Sequence, residues 1–412
     1  MPHKSLLIAG VLIFAVAPAL LAQTNAQVAL PDGPGKDTVA SACGACHALT
    51  NITNSGHSRV DWNTVVHMMV NVGAQVPPDR LPVVVDYLAK NFPPRQAPAA
   101  VVVPGAIRVS IKDWDVPTPG SRPHDPMYAP DGSVWYSGQM ANVLGRFDPR
   151  TQRFKEFALP AGSGPHGLIA DHDGNVWFTA NFGGYIGKLD PKSGKVTQYP
   201  MPDAAARDPH TLLLAPNGNI YFTVQSGNMA GRLDPRTGQV KLVTSPTPHS
   251  NPYGMVIDSH GVPFFVEFGS NKVARLDPAT LAIKEYVLPN PQARPRRVAI
   301  TPDDILWYTD YARGFLGRLD PKTGAVSEWP SPGGPRSQPY GITAVGDVIW
   351  YSESNTRPNS LVRFDTRTHQ FQSWPIPSGG GVVRNMVHTP DGNLWLAESG
   401  LNRIAFVQVA KN

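Results

Sequence analysis

Seven aromatic residues, Trp135, Trp177, Tyr221, Phe264, Trp307, Trp350 and Trp395, recur at spacings of 42, 44, 43, 43, 43 and 45 residues. A period of that length describes supersecondary units that cannot bury an apolar face alone and must share a core with their neighbours. Each unit reads as an apolar strand, a D-G or N-G type turn, a strand centred on the aromatic, a loop, a third strand and a D-P-x-T-G hairpin. GPHGLIADHDGNVWFTANFGGYIGKLDPKSGKVTQYPMP (164–202) and SQPYGITAVGDVIWYSESNTRPNSLVRFDTRTHQFQSWPIP (337–377) illustrate it. Seven four-stranded units predict an all-β seven-bladed propeller over 107–412. The last unit stops at RIAFVQVAKN, one strand short, whereas IRVSIKDWDVP (107–117) resembles a fourth strand placed ahead of the first unit. It is expected to pair onto blade seven and remove the open edges of the array. The 43 Pro and 38 Gly, with only 16% charged residues, suit such a turn-rich β fold.

The stretch before the array differs. MPHKSLLIAGVLIFAVAPALLA (1–22) reads as a secretory signal cleaved near Ala22, so the mature chain is expected to be exported, in a bacterium to the periplasm, without a membrane span. Its removal lowers the formal charge from +5 to +4 through Lys4 alone. The remaining basic residues are scattered, which argues against a nucleic-acid surface.

The only two cysteines lie in CGACH, as Cys43 and Cys46, with His47 behind them. This spacing is the attachment signature of haem c, with both thiols bonded to the porphyrin and the imidazole on the iron. Zinc would need two further ligands, and a disulfide oxidoreductase would leave the histidine incidental. Residues 61–73 and 81–92 read as helices, with Asp61 an N-cap candidate. Trp62, Met69, Gly73–Ala74 and Tyr87–Ala89 resemble a pattern of small exported cytochromes c, and that resemblance implies Met69 as the second axial ligand. Core filler is the other reading of Met69, with Met68 or His67 ligating. Residues 28–92 are therefore expected to form a small all-α monohaem cytochrome c domain, completed by its cofactor. The Pro/Ala-rich run 93–106 reads as a linker without helix or strand of its own.

In a propeller the first strand of each blade lines the axis. The residues at its start form one ring, His124, His166, His210, Tyr253, Arg296, Tyr340 and Arg384. The ends of the second strands form another, Gly138, Ala180, Val224, Glu267, Asp310, Glu353 and Glu398. Arg296 with Asp310 and Arg384 with Glu398 are expected to be ion pairs within a blade. Glu267 and Glu353 lack such a cation, and three imidazoles lie across from them, an arrangement suited to a metal or a general base.

The repeats P-[HY]-G-I, W-[FY]-[TS] and G-R-[LF]-D resemble the streptogramin B (virginiamycin B) lyase family over essentially all of 107–412. The resemblance implies elimination from a cyclic ester, with a histidine removing a proton alpha to a carbonyl that Mg2+ polarises. Carried over by motif, it implies His166, His210, Asp208 and Tyr253 as catalytic residues, with Asp208 and Glu267 holding the ion. Two departures stand out. The run lies on blades two to four instead of spanning the closure, and Gln225 occupies the family's carboxylate position. Elimination needs no electron carrier, so the CGACH segment favours a cytochrome–propeller fusion. Its propeller would bind a small molecule or a redox partner protein, and haem would carry the electrons. Opening of a cyclic ester or lactone at the axis is the alternative, and a non-catalytic binding module the third reading. No dinucleotide fingerprint is present, since GGG (379–381) is a lone turn.

Overall fold

The computed structural model describes residues 29–410, so the signal segment 1–22 lies outside the described residues. Seven antiparallel four-stranded sheets make up a seven-bladed propeller. Six take their strands in chain order, beginning with Pro123–Tyr128, Val134–Gly138, Val143–Asp148 and Arg153–Ala158 in blade 1. Blade 7 consists of Val383–His388, Leu394–Glu398 and Arg403–Val409, with Val109–Asp115 as its outer strand. That strand pairs in register from Val109 opposite Val409 to Asp115 opposite Arg403, so the two ends of the repeat array share one sheet.

The repeat motifs follow from packing. Second strands such as Val176–Ala180 are buried on both faces. One face carries the periodic aromatic across to the next blade: Trp135 joins Leu168 and Phe178, and Trp395 joins Val134 and Phe147 to complete the circle. The next residue points the other way. Tyr136 lies opposite Gly145, where a Cβ would come within 1.9 Å of its ring, and Phe178 opposite Gly187 at 2.1 Å. The glycine of the G-R/K motif is thus the space into which the neighbouring ring folds. Each fully buried Phe of this kind contributes about 1.5–3 kcal/mol.

The hydroxyl of W-[FY]-[TS] links blades. Thr179 Oγ1 accepts from Gly167 N at 2.8 Å and donates to the His210 carbonyl of the next blade at 2.7 Å. Ser137 and Thr223 do the same towards the carbonyls of His166 and Tyr253. The first strands bulge after their leading proline, as between Pro165 and Leu168, which frees these backbone groups for the hydroxyl. Blade 4 has Val266 there and lacks the link to Arg296.

Ahead of the propeller, short helices surround a core of Val39, Trp62, Val66, Val84, Val85 and Leu88. The longest are Arg59–Asn71 and Leu81–Asn91. Ser58 is the N-cap of the former, accepting from Asp61 N at 3.1 Å while its hydroxyl donates to Asp61 Oδ2 at 2.8 Å. Asp61 is therefore the residue whose N–H is capped and not the cap itself. The segment 93–106 is not a bare tether. Ala99 bridges Arg357, and Val103 bridges Ser373 on the outer strand of blade 6, because those edge groups need backbone partners. The helix Arg59–Asn71 also reaches the propeller. Asn71 Nδ2 donates to the Pro119 carbonyl at 2.9 Å, and a Cβ on Gly120 would lie 2.5 Å from Met68 N. No helix among the described residues is long and apolar enough to cross a membrane.

Candidate functional site

Propeller geometry brings the seven first-strand residues together. His124 and His166 meet at a tilt of 41° with ring centroids 3.8 Å apart, His166 and His210 at 3.7 Å, and His210 and Tyr253 at 3.9 Å. Tyr253 and Tyr340, two blades apart, share a 2.5 Å hydrogen bond between their hydroxyls. The guanidinium of Arg296 lies between them, 3.9 Å from the Tyr340 ring centre and 4.3 Å from Tyr311, with Phe268 and Tyr253 completing an aromatic cage. His124, His166, His210 and Tyr253 are each 2–3% exposed.

One buried ion pair spans the ring. Arg297 donates to both oxygens of Asp125, at 2.7 and 3.3 Å, although the two residues are 172 positions apart. Asp125 also lies 2.9 Å from His124 Nδ1 and 4.0 Å from His166 Nδ1. His166 Nδ1 itself is buried without a hydrogen-bond partner. Sequence reasoning missed Asp125 and Arg297 because both stand one residue beyond the ring. The signal was the acid in PHD and the twin arginine in PRR. Beyond the ring the first strands line a cavity of 470 Å³ whose walls include Asp125, Gly167, Thr211, Gly254 and Arg297.

Burial holds all three imidazoles well below the ordinary histidine range, aided at His124 by Arg384, Arg297 and Arg122, and at His166 by its imidazole neighbours. They are neutral at pH 7. Burial raises the Tyr253 phenol. At Tyr340 burial acts the same way, but Arg296, Arg384 and Arg297 together outweigh it and favour the phenolate.

The second-strand carboxylates turn away into the loops. Glu267 accepts from Ser245 and Ser270 at 2.6 and 2.9 Å, and Glu353 from Ser331 Oγ and Gly333 N at 2.5 and 2.6 Å. Asp310 pairs with Arg313 at 3.1 Å, and Glu398 accepts from Ser378. The expected pairs Arg296–Asp310 and Arg384–Glu398 do not form. Arg296 sits in its aromatic cage, and Arg384 faces Tyr340 at 6.0 Å. Asp208 accepts from Ser226 N and Gly227 N at 2.7 and 3.2 Å, closing a loop of blade 3. Among the described residues, the cluster whose ligand atoms converge within 4.8 Å is His124, Asp125 and His166, and it includes neither Asp208 nor Glu267. With Arg297 bonded to its carboxylate, that cluster is a poor place for a further cation.

A second cavity, of 290 Å³, lies inside the helical unit. Cys43, His47, His57, Trp62, Val65 and Met69 are among its walls. Cys43 closes the turn Val39–Cys43 and is half-buried, whereas Cys46 is exposed. Burial raises the Cys43 thiol. Met68 faces the propeller instead, and His67 Nδ1 lies 2.8 Å from the Asn63 carbonyl.

The virginiamycin B lyase family model matches residues 105–344. A streptogramin B lyase structure is 27% identical, with a TM-score of 0.66, covering 73% of this chain and 98% of that one. Virginiamycin B lyase from Staphylococcus aureus is 24% identical, with a TM-score of 0.67, covering 73% and 99%. Hydrazine synthase from Kuenenia stuttgartiensis, at 15% identity and a TM-score of 0.60 over 71% and 96%, shares the fold. No curated protein matches the chain.

Proposed function

The chain belongs to the virginiamycin B lyase family, and from that premise we propose that it is an exported cytochrome–propeller fusion in which the propeller binds a substrate or redox partner and haem c carries electrons. The observation that carries this reading is the shared cavity of Cys43, His47 and Met69. A thiol, an imidazole and a thioether around one apolar space are the donor set that haem c requires. Cys43 and Cys46 would hold the porphyrin by thioether bonds, and His47 and Met69 would ligate its iron. Bound there, haem supplies one-electron transfer. The chain's own residues do the rest: Trp62 and Val65 exclude water from that cavity, and the axial ring binds and orients what docks at its mouth.

The test is expression with a haem-ligation system. Denatured wild-type protein retains its haem absorbance, Cys43→Ala/Cys46→Ala loses it, and Met69→Ala keeps the haem but loses the thioether-to-iron band. Wild-type protein that carries no covalent haem would sink the reading. Periplasmic recovery of a chain beginning near Gln23 is expected alongside.

A second reading, opening of a cyclic ester or lactone by elimination, rests on the unpartnered Nδ1 of neutral His166 beside His210. Magnesium fits this ring poorly, since Asp208 and Glu267 are committed to loop groups and guanidiniums crowd the axis. The base is then His166 or His210, without a metal step. In either reading His166→Ala/His210→Ala keeps the haem spectrum and loses turnover. Turnover that survives both changes removes the axis from the mechanism.

A further inference from the structure

The helical unit packs against the propeller where blades 6, 7 and 1 meet. Between the two lies a cavity of 650 Å³, with Val60, Val65 and Met68 on the helical side and Arg122, Arg384 and Arg357 on the propeller side. His57 and Val65 line both this cavity and the one enclosed by Cys43, His47 and Met69.

Among the described residues Arg122 and Arg384 lack a carboxylate partner, and the Tyr340 and Tyr253 phenols offset only part of their repulsion. Arg122 is disfavoured as a cation first by Arg384 and then by its own burial. Arg384 Nε is buried without a partner, and neither guanidinium has an ion pair among the described residues. Arg357 donates to the carbonyls of Ser354 and Thr356, which leaves its charge unneutralised. Asp61, the acid in the lining, accepts from the Ser58 hydroxyl at the start of its own helix. Half-buried guanidiniums that disfavour one another are relieved when an anion joins them, and guanidinium forks match a carboxylate. The opposite wall presents Val60, Val65 and Met68 beside His57, Ser58 and Asp61, and its apolar part suits the body of an organic ligand.

We propose that this seam cavity binds a small organic carboxylate, its anionic head between Arg122 and Arg384 and its apolar body against Val60, Val65 and Met68. The site goes beyond the electron-transfer reading and does not depend on haem. If that reading also holds, the ligand lies between the haem cavity and the axial ring, where a substrate would be placed.

Calorimetry on the full chain tests it, with benzoate as probe and benzamide as its neutral counterpart. Benzoate binds one per chain, benzamide at least tenfold more weakly, and Arg122→Gln or Arg384→Gln lowers benzoate affinity tenfold or more. A structural role for these arginines predicts that either variant melts earlier. Relief of their repulsion predicts an unchanged or higher melting temperature, which the binding proposal requires. Equal affinity for both probes, or benzoate binding unaltered in both variants, overturns the proposal. Benzoate binding by Cys43→Ala/Cys46→Ala protein that disappears in haem-loaded wild type also overturns it, because the arginines then serve the haem propionates.

Discussion

The axial ring has two arcs built on the same strand position. Blades 1 to 3 supply His124, His166 and His210, in tilted contact, buried and neutral. Blades 4 to 7 supply Tyr253, Arg296, Tyr340 and Arg384, where a phenol pair is surrounded by guanidiniums. Backbone geometry is common to both, so the difference in charge comes from side-chain identity alone. One arc offers neutral imidazoles and the other anion recognition. Asp125 and Arg297, from blades 1 and 5, join them.

Removing that join has the largest expected effect. Asp125→Ala leaves Arg297 buried without its counter-ion and should cost about 3–5 kcal/mol in denaturant unfolding. Asp125→Ala/Arg297→Met should recover most of it. A single variant as stable as wild type would mean that the arcs are held by the blades alone.

The imidazole arc should also be visible in the pH dependence. Its folded-state pKa values are depressed, so below pH 6.5 the unfolded chain takes up protons that the folded ring refuses. This contribution is complete above about pH 6.5 and is lost as the pH falls. Each imidazole loses about 1.4 kcal/mol per pH unit. Glu398, raised by burial to about 7, works in the opposite direction over part of this range, so comparison with a variant isolates the effect. Between pH 6.5 and 5, His166→Gln should lose about 2 kcal/mol less stability than wild type. Identical losses would place a charged imidazole in the folded ring.

The smallest expected effect concerns how the arcs are seated. Thr179→Val removes the hydroxyl between Gly167 N and the His210 carbonyl and should cost about 1–2 kcal/mol. Phe264, Val266 and Glu267 show that a blade tolerates valine there, so Val266→Thr should change stability by less. A larger effect at Val266 would mean that the blade 4 gap is itself a constraint.

Much of the propeller was legible because its determinants are local and repeated. The aromatic period and the turn residues recur from blade to blade, a glycine stands opposite the ring in blades 1, 2, 3 and 5, and alternation along a strand states which side chains face inward. The ring could be read for the same reason, since every member holds one position in its repeat. The carboxylates at the ends of the second strands were misread in their partners. Strand register places Glu267 and Glu398 at that edge, but a serine in the incoming loop captures each of them. Loop conformation has no period to read.

The sequence by itself determined the blade count, the membership of the ring and the grouping of two thiols with an imidazole at positions 43 to 47. These depend on spacing along the chain. The tertiary structure alone decided that Asp125 meets Arg297, that Arg296 enters an aromatic cage, and that the helical unit packs against Gly120. Those contacts join positions far apart in sequence, and they form only once the closed ring and the segment 93–106 fix where each blade stands.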